Sequence, residues 1–389
     1  MNLLQSITQQ HFLHTLERGI VHGQLQLITP DGKTCTFGGS QPGRSAQWHI
    51  HDWRVVAAVA SRGDIGLGET YADGLWDSDD LEALFHVFIE NMQTLTRYAD
   101  GTGLSRFWFR LLNAVVRRNN VHGSSKNIRA HYDVGNAFYQ LWLDASMTYS
   151  SGIYHDDAHG LEQAQRNKYH RILERIGAKR ERVLEVGCGW GGFADAAAQN
   201  GHAITGLTVS PAQHAFASKR LEGRGNILLQ DYRKSGGVYD AIVSIEMFEA
   251  VGSRYWPAYF TTLKQRLAEH GTAMVQTITI RDELFDAYRK RSDYIRHHVF
   301  PGGMLPSMEQ FSQAARHAGL QCRDVFAFGE DYARTLREWL ARFDARHDDI
   351  RALGYGEAFI RSWRLYLAMC AASFACKRTD VVQVELVHA

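Results

Sequence analysis

Between residues 182 and 245, short apolar runs alternate with helix-forming stretches. The apolar runs cover residues 182–186, 203–209, 227–229 and 239–245, and polar or glycine residues follow each of them. Short apolar runs that are bounded by turn residues are typical of buried strands. Strands that alternate with helices at this spacing predict a doubly wound α/β sheet, which binds its ligand at the carboxyl ends of the strands.

The first apolar run contains Glu185 and passes into a glycine-rich turn over residues 187–191. Glycines at alternate positions let the backbone approach a ligand where any Cβ atom would collide. The turn lacks the last glycine of the dinucleotide-binding fingerprint, and an ordinary strand-to-helix turn is the alternative. The second run favours a ligand site, because it ends in the hydroxyls of Thr208 and Ser210. Pro211 can then open a helix that Ser210 caps.

The first hundred residues predict a small α+β domain. Residues 23–37 alternate like a β-hairpin, with the turn at residues 30–33. Residues 81–98 predict one amphipathic helix, which Asp79 or Asp80 would cap.

A connecting segment over residues 104–126 separates an N-terminal, lipid- or membrane-associated domain (1–103) from a catalytic domain (127–389). Residues 104–118 predict a helix with an apolar side and an arginine-rich side. Such a helix can lie on an anionic membrane surface, or it can dock its apolar side on the protein core. Within the larger domain, residues 279–300 predict helical insertions.

The composition excludes several classes of protein. A length of 389 residues makes two domains the default expectation, and 45% hydrophobic content is ample for packed cores. A net charge of +1 gives no global field that would attract nucleic acid. The five cysteines lack metal-ligand spacing and favour a reducing compartment. With neither a signal-peptide pattern nor a membrane-length apolar run, we expect a cytoplasmic protein.

Two adjacent histidines, His297 and His298, suggest a metal site at first sight. Adjacent histidines point away from each other on a helix, and no third ligand follows at a fitting interval. We therefore interpret this segment as solvated surface and expect no metal.

These motifs resemble the class I S-adenosylmethionine-dependent methyltransferases, whose first strand typically ends as residues 185–191 do here. The chain resembles one family more closely, the cyclopropane-fatty-acyl-phospholipid synthases. The matching segments follow in order over nearly the whole chain: 67–76, 130–136, 147–150, 185–193, 206–210, 248–252, 300–307 and 366–370. The resemblance implies a Rossmann-like methyltransferase sheet with helical lipid-site insertions, in addition to the small N-terminal domain.

The resemblance also implies S-adenosylmethionine as cofactor and the residues that bind it. Glu185 would lie near its amino-acid and ribose portions, and Tyr149 and Ser150 would close over its methionine end. Aromatic faces attract a sulfonium, although core packing is an equal reading of Tyr149 alone. The expected cofactor-binding residues are Tyr149, Ser150, Glu185, Gly187, Gly189, Gly191, Thr208, Ser210 and Gln213 (the ribose), Asp231 and Tyr232 (the adenine), and Ile245.

The acceptor that the family implies is a cis double bond in an unsaturated phospholipid acyl chain. An alkene that takes a methyl group becomes a carbocation, so the site must exclude water, stabilise positive charge and remove a proton. Tyr366 is expected to line the pocket. Cys370 matches the family's C-terminal cysteine, for which pocket lining and a buried structural role are equal readings. With Glu249 and Gln276, these residues complete the expected catalytic set.

Members of the family close a cyclopropane ring with the help of a bound bicarbonate ion. Of the residues that hold this ion in the family, only Glu249 and Ile278 recur here. The cysteine position is Ser151, the histidine position is Gln276 and the tyrosine position is Leu340. Leucine forms no side-chain hydrogen bond, and glutamine takes no proton at physiological pH. The resemblance therefore does not extend to the whole bicarbonate site. It leads us to predict a methylated, still unsaturated product, such as a precursor of furan-containing fatty acids.

Other functions stay open on the sequence alone. They are ring formation on the same substrate, methylation of a small amine, and lipid binding without catalysis. The intact glycine turn argues against the last. The expected partners are unsaturated acyl chains and the surface of a phospholipid bilayer, bound peripherally at the inner face of the membrane, and not nucleic acid; a homo-oligomer is open.

Overall fold

The computed structural model describes residues 3–99, 134–177 and 182–389, so the predicted connecting segment 104–126 lies outside the described residues. The chain divides into two compact units. The first contains Met1–Asp133, Asp293–Val299 and Phe343–Cys376, and the second contains Val134–Ser292, Phe300–Arg342 and Lys377–Ala389. The first unit thus includes Asp293–Val299 and Phe343–Cys376, which the sequence division assigned to the catalytic domain.

The first unit combines a four-stranded sheet with helices. The strands are β1 (His22–Ile28), β2 (Thr34–Gly38), β3 (Gln41–Ile50) and β4 (Trp76–Asp77), in the order β2-β1-β3-β4. Antiparallel pairing of β1 and β2 confirms the predicted hairpin. The helices are α1 (Leu3–Gly19), α2 (Arg54–Arg62), α3 (Asp64–Ala72), α4 (Leu81–Glu90), α5 (Met92–Ala99) and, later in the chain, α14 (His347–Ala352) and α15 (Glu357–Ala375).

Residues 67–76, which carry part of the family resemblance, have a packing role within the first unit. Gly68 lies against Tyr294, because a Cβ atom on Gly68 would come within 2.2 Å of the tyrosine ring. Arg361 of α15 lies over the ring of Tyr71, with 4.0 Å between guanidinium carbon and ring centroid. These contacts join segments that are distant in sequence.

The prediction of one helix over residues 81–98 is wrong, since two helices meet at Asn91. The Asn91 side chain accepts hydrogen bonds from the amides of Val21 and His22, at 2.7 and 2.8 Å. It therefore serves the strand beside it, and the helix ends there. Asp80, one of the two candidates, caps α4 as predicted.

The prediction of a solvated histidine pair is wrong for His298, which is buried. Its Nε2 atom lies 3.0 Å from Oε1 of Glu69, which is 229 positions away in the chain. The ligand atoms of Glu69, His297 and His298 lie within 4.8 Å of one another, a spacing that a metal ion could bridge. Arg62 already donates to both carboxylate oxygens of Glu69. The carboxylate thus has a cationic partner within the protein.

The second unit contains the predicted doubly wound sheet. Its strands are β5 (Arg182–Val186), β6 (Ala203–Thr208), β7 (Asn226–Leu229), β8 (Tyr239–Ile245), β9 (Leu267–Ile280), β10 (Leu320–Ala327) and β11 (Thr379–His388). The seven-stranded order is β10-β11-β9-β8-β5-β6-β7. From β7 to β9 neighbouring strands are parallel, whereas β11 is antiparallel to β9 and β10. The strand order reverses between β5 and β8, the place where open α/β sheets bind ligands.

Helices cover both faces of this sheet. They are α6 (Asn136–Gln140), α7 (Leu161–Ile176), α8 (Gly192–Gln199), α9 (Pro211–Leu221), α10 (Trp256–Arg266), α11 (Asp282–Arg289), α12 (Met308–His317) and α13 (Gly329–Asp344). One apolar cluster joins α7, α8 and α9 to the strands, and another joins α10, α11 and α12. A π-helical turn, Ile295–Val299, follows α11 in the predicted insertion. Across the described ranges, every helix is too short or too polar to cross a membrane.

Candidate donor site and active site

The glycine turn after β5 has the backbone conformation that its sequence requires. Gly187, Gly189 and Gly191 have φ angles of 81°, 53° and 80°, which glycine adopts without strain. The amides of Gly187 and Cys188 donate to the carbonyl of Leu207, which fixes the turn to the end of β6. A Cβ atom on Gly189 would meet no described atom within 4 Å. The turn therefore borders open space at the carboxyl edge of the sheet.

Glu185 lies on β5 just before this turn and is buried. Its Oε2 atom has no hydrogen-bond partner among the described residues. Burial raises the pKa of the carboxyl to about 8, although Lys168 and the amide of Ala194 lower it. Buried carboxylate oxygens in native proteins almost always have a donor, so the vacant acceptor indicates a ligand that supplies one.

The predicted ribose residues lie together at the end of β6. The Thr208 hydroxyl donates to Oε1 of Gln213 at 2.8 Å and accepts from the amide of Ser210 at 3.1 Å. The Ser210 side chain accepts from the Gln213 amide, with Pro211 at the start of α9, which confirms the predicted cap. These bonds order hydroxyl and amide groups before any ligand binds.

The residues expected at the adenine, Asp231 and Tyr232, follow β7, and the expected cofactor residue Ile245 lies on β8. Asp231 pairs with Arg233, which lowers the pKa of Asp231 and keeps it ionised. The half-buried Tyr232 ring meets Tyr259 edge-on, with 5.7 Å between the centroids. Ile245 ends β8 and packs against the apolar cluster of α7, α8 and α9. Each lies at the carboxyl end of a parallel strand or just beyond it.

Tyr149 lies in a cluster of aromatic rings within the second unit. Its ring centroid is 5.2 Å from that of Trp339, 5.4 Å from Tyr139 and 5.6 Å from Trp142. Trp190 of the glycine turn joins the cluster through Tyr139, at 5.0 Å. Ring faces beside the glycine turn suit a positively charged sulfur, and the same contacts also serve core packing.

Sequence reasoning missed Lys168, a buried lysine of α7. It donates to the hydroxyl of Ser150, one of the predicted cofactor residues. Burial lowers the pKa of the Lys168 ammonium to about 7, while the charges of Glu246, Asp144 and Glu185 raise it. A single lysine in a helix carries no motif, so its burial among carboxylates could be recognised only in three dimensions.

Glu249 lies in a short 3-10 helix after β8. Its Oε1 atom accepts from the amide of Ile278 and, at 3.0 Å, from the hydroxyl of Thr277. Its buried Oε2 atom has no partner within the described ranges. Burial and, next, the charge of Glu246 raise the pKa of Glu249 to about 8. The structure thus brings Glu249 and Ile278 together, as the resemblance implied.

Gln276 donates to a carboxylate that sequence reasoning missed. The Oε1 atom of Glu246 accepts from Nε2 of Gln276 at 2.8 Å and from the amide of Ser151 at 2.9 Å. Its Oε2 atom accepts from the hydroxyl of Tyr332 at 2.6 Å. Glu246 and Glu249 therefore form a pair of carboxylates after β8.

Tyr366 and Cys370, the other two predicted catalytic residues, lie on α15 in the first unit. Tyr366 is buried, and burial raises the pKa of the Cys370 thiol, so this cysteine is no thiolate at neutral pH. Their role as lining of an acyl pocket stays a prediction.

The second unit fits the expected cofactor. The glycine turn offers open space, Glu185 offers a buried acceptor, and the residues after β6 offer polar groups to a ribose. The ammonium and hydroxyl groups of S-adenosylmethionine are donors of the kind that Glu185 lacks.

Comparisons with known proteins agree with this geometry. The family model described as mycolic acid cyclopropane synthetase matches residues 119–384, more than half of the chain. The tuberculostearic acid methyltransferase UfaA1 of Mycobacterium tuberculosis is 34% identical over 392 residues, covering 96% of this chain and 90% of that protein. The cyclopropane-fatty-acyl-phospholipid synthase of Escherichia coli K12 is 35% identical over 333 residues, covering 84% of each chain.

Solved structures show the same fold. The cyclopropane synthase MmaA2 from Mycobacterium tuberculosis has a TM-score of 0.62 and 27% identity, covering 69% of this chain and 99% of that one. The mycolic acid cyclopropane synthase CmaA1, solved with SAH and CTAB, has a TM-score of 0.61 and 28% identity, covering 68% and 98%. The chain therefore belongs to the mycolic acid cyclopropane synthetase family and is an S-adenosylmethionine-dependent methyltransferase of the cyclopropane-fatty-acyl-phospholipid synthase type.

Proposed function

We propose that this enzyme transfers a methyl group to a cis double bond of an unsaturated phospholipid acyl chain and leaves a double bond in the product. The observation that carries the proposal is the carboxylate pair Glu246 and Glu249 beside the glycine turn. Met247, between them, packs on Gly187, where a Cβ atom would come within 2.6 Å of its Cγ. The names of two relatives, a fatty-acyl-phospholipid synthase and a tuberculostearic acid methyltransferase, support the substrate class.

The chemistry needs negative charge close to the acceptor. S-adenosylmethionine, when bound, supplies an electrophilic methyl group on a positively charged sulfur. An alkene that accepts this methyl group becomes a cation, which fixed carboxylates stabilise in a site that excludes water. Glu249 suits this role, because Ile278 and Thr277 hold one oxygen while the other has no partner in the described part of the chain.

The position of proton loss decides the product. When the cation lies on the carbon next to the methylated one, loss of a methyl proton closes a ring, whereas loss of a proton from the acyl chain leaves a methylated alkene. The ion site that the resemblance links to ring closure is changed at Ser151, Gln276 and Leu340. This change supports the alkene, a class of compound from which furan fatty acids can be made. Because the substrate is a membrane lipid, the enzyme acts peripherally at the inner face of the bilayer.

The test is incubation of the full chain with S-adenosylmethionine labelled in its methyl group and vesicles of dioleoylphosphatidylglycerol. We expect label in the released acyl chains, and a double bond that still reacts with a derivatising reagent. Derivatisation is needed because a ring and a methylated alkene have the same mass. A saturated labelled chain would contradict the alkene product, and label that enters only a panel of small amines would contradict the lipid substrate.

A further inference from the structure

Glu246 occupies a backbone conformation that favours glycine. Its φ angle is 48°, in the left-handed region that residues with a Cβ atom rarely adopt. Its amide donates to the carbonyl of Gln276 at 2.8 Å, so the backbone is fixed there. A side chain that is kept at a strained position indicates a use for that side chain.

The carboxylate of Glu246 has donors on both oxygens. They are the amide of Ser151, the side-chain amide of Gln276 and the hydroxyl of Tyr332. By resemblance, Ser151 and Gln276 occupy two of the positions that hold the bicarbonate ion in the family. The tyrosine hydroxyl that Leu340 cannot supply comes instead from Tyr332 on the same helix, α13. The donors that would bind an external anion therefore bind a carboxylate of the chain itself.

A line of hydrogen bonds fixes the direction in which Gln276 donates. Its Oε1 atom accepts from Nε2 of Gln383 at 3.0 Å, and Oε1 of Gln383 accepts from Arg171 at 2.7 Å. A guanidinium can only donate, so both amides turn their NH₂ groups toward Glu246. The line begins at a cation and ends at Glu246, which stabilises Glu246 as an anion.

Glu246 is the better stabilised anion of the carboxylate pair. Glu249 has donors on one oxygen only, and burial with the charge of Glu246 raises its pKa to about 8. Burial raises the pKa of Glu246, which strengthens it as a base, while Tyr332, Lys168, Ser151 and Gln276 favour its ionised form.

We propose that the Glu246 carboxylate takes the place of bicarbonate and is the base that removes a proton from the methylated acyl chain. This inference rests on the proposed function. The electron pair of the alkene forms the new C–C bond, and the pair of the broken S–C bond stays on the donor sulfur. A C–H bond beside the resulting cation then breaks. Its electron pair forms the new double bond, and its proton goes to Glu246.

Binding of bicarbonate tests the inference without any lipid. Carbon-13-labelled bicarbonate is titrated into the full chain and into Glu246→Gly, and followed by NMR. Glycine suits a φ of 48°, so we expect the variant to fold. We expect saturable binding to Glu246→Gly, because its donors become vacant, and none to the wild type. Saturable binding to the wild type would overturn the inference.

Turnover of methyl-labelled S-adenosylmethionine with vesicles of dioleoylphosphatidylglycerol provides the second test. In buffer freed of carbon dioxide, we expect the wild-type rate to stay within about twofold of its rate with bicarbonate. We expect the rate of Glu246→Gln to be about 10²–10⁴-fold below that of the wild type, the usual contribution of a general base. Tyr332→Phe should lower kcat with little change in KM, since Tyr332 positions the base. Glu338→Gln, a partly exposed residue on the same helix, is the matched control with an unchanged rate.

A wild-type rate that falls more than about tenfold without bicarbonate and recovers when bicarbonate is added would show an external base and overturn the inference. If the wild type labels no lipid under any condition, the proposed function fails. The binding titration then still decides whether Glu246 occupies the place of the ion.

Discussion

The two units differ in how two sets of their charged side chains are partnered. In the first unit, two carboxylates have cationic partners: Arg361 donates to Asp77 at 2.8 Å, and Arg62 donates to both oxygens of Glu69. In the second unit, the carboxylates Glu246, Asp144 and Glu185 act on one buried lysine, Lys168, and Glu249 is influenced by the charge of Glu246.

The difference separates charges that hold a fold together from charges that await a ligand. A carboxylate whose oxygens already accept from a guanidinium leaves no acceptor that needs a ligand. The Oε2 atoms of Glu185 and Glu249 have no partner in the described segments, and burial raises both pKa values to about 8. Strongly shifted groups of this kind are typical of active sites. Four substitutions can break or sharpen this comparison.

The largest effect is expected for Glu249→Gln. The amide oxygen still accepts from Ile278 and Thr277, but the side chain can no longer ionise beside the cation, which favours the ionised form of Glu249. We expect methyl transfer to fall by about 10²-fold or more, as for other fixed electrostatic groups that stabilise a transition state. Donor affinity, measured by calorimetry, should stay within about twofold, so a variant that loses donor binding and turnover together would contradict the role in chemistry.

The next effect is expected at Glu185. With a pKa of about 8, its carboxyl is mostly protonated at neutral pH. Bound S-adenosylmethionine, which is a cation, favours the ionised form and lowers that pKa. Binding near pH 7 should therefore release up to about one proton, which calorimetry in buffers of different ionisation enthalpy measures. Glu185→Gln should release none and bind about tenfold or more weakly. Equal proton release by both proteins would show that Glu185 is not the donor contact.

A smaller effect is expected for Gly68→Ala in the first unit. The added methyl group would come within 2.2 Å of the Tyr294 ring, so the ring has to shift. We expect the free energy of unfolding to fall by about 1–2 kcal/mol in denaturant titrations. Gly38→Ala is the control, since its nearest contact is 3.9 Å away. Unchanged stability of Gly68→Ala would remove the packing role of residues 67–76.

The smallest effect is expected for Gly189→Ala, compared with Gly201→Ala. Both glycines have positive φ angles, 53° and 82°, and neither Cβ atom would meet a described atom within 4 Å. Each variant should lose about 1 kcal/mol of stability from backbone strain. Only Gly189→Ala should also weaken donor binding, because its methyl group enters the space at the glycine turn. Equal affinities of Gly189→Ala and Gly201→Ala for S-adenosylmethionine would show that the cofactor does not bind at the glycine turn.

Local sequence signals predicted the sheet well. Ser210 and Pro211 mark the start of α9, as its cap and its first residue. Because β6 ends just before them, its end could be placed from the sequence. The glycines of the turn are a local signal of the same kind, because glycine adopts the positive φ angles that the turn has. The end of α4 at Asn91 was missed because the Asn91 side chain accepts hydrogen bonds from backbone amides that lie 69 and 70 positions away.

Glu246, the proposed base, could not be found from the sequence for the same reason. Glu246 is a strand-end glutamate without a motif, and its donors come from residues up to 95 positions away along the chain. Family positions pointed to Ser151 and Gln276, and these suggested a lost anion site. The structure shows that both donate to a carboxylate of the chain, which a residue-by-residue comparison could not reveal.

The central claim is that buried carboxylates guide methyl transfer to a lipid alkene and take the proton from the acyl chain. The most direct measurement uses S-adenosylmethionine with a fully deuterated methyl group and dioleoylphosphatidylglycerol vesicles, followed by mass analysis of the acyl chains. Our account predicts a chain that keeps every deuterium of the transferred methyl group and still contains a double bond. A labelled chain that has lost one deuterium, whether a saturated ring or an alkene, would contradict it, and so would acyl chains without deuterium.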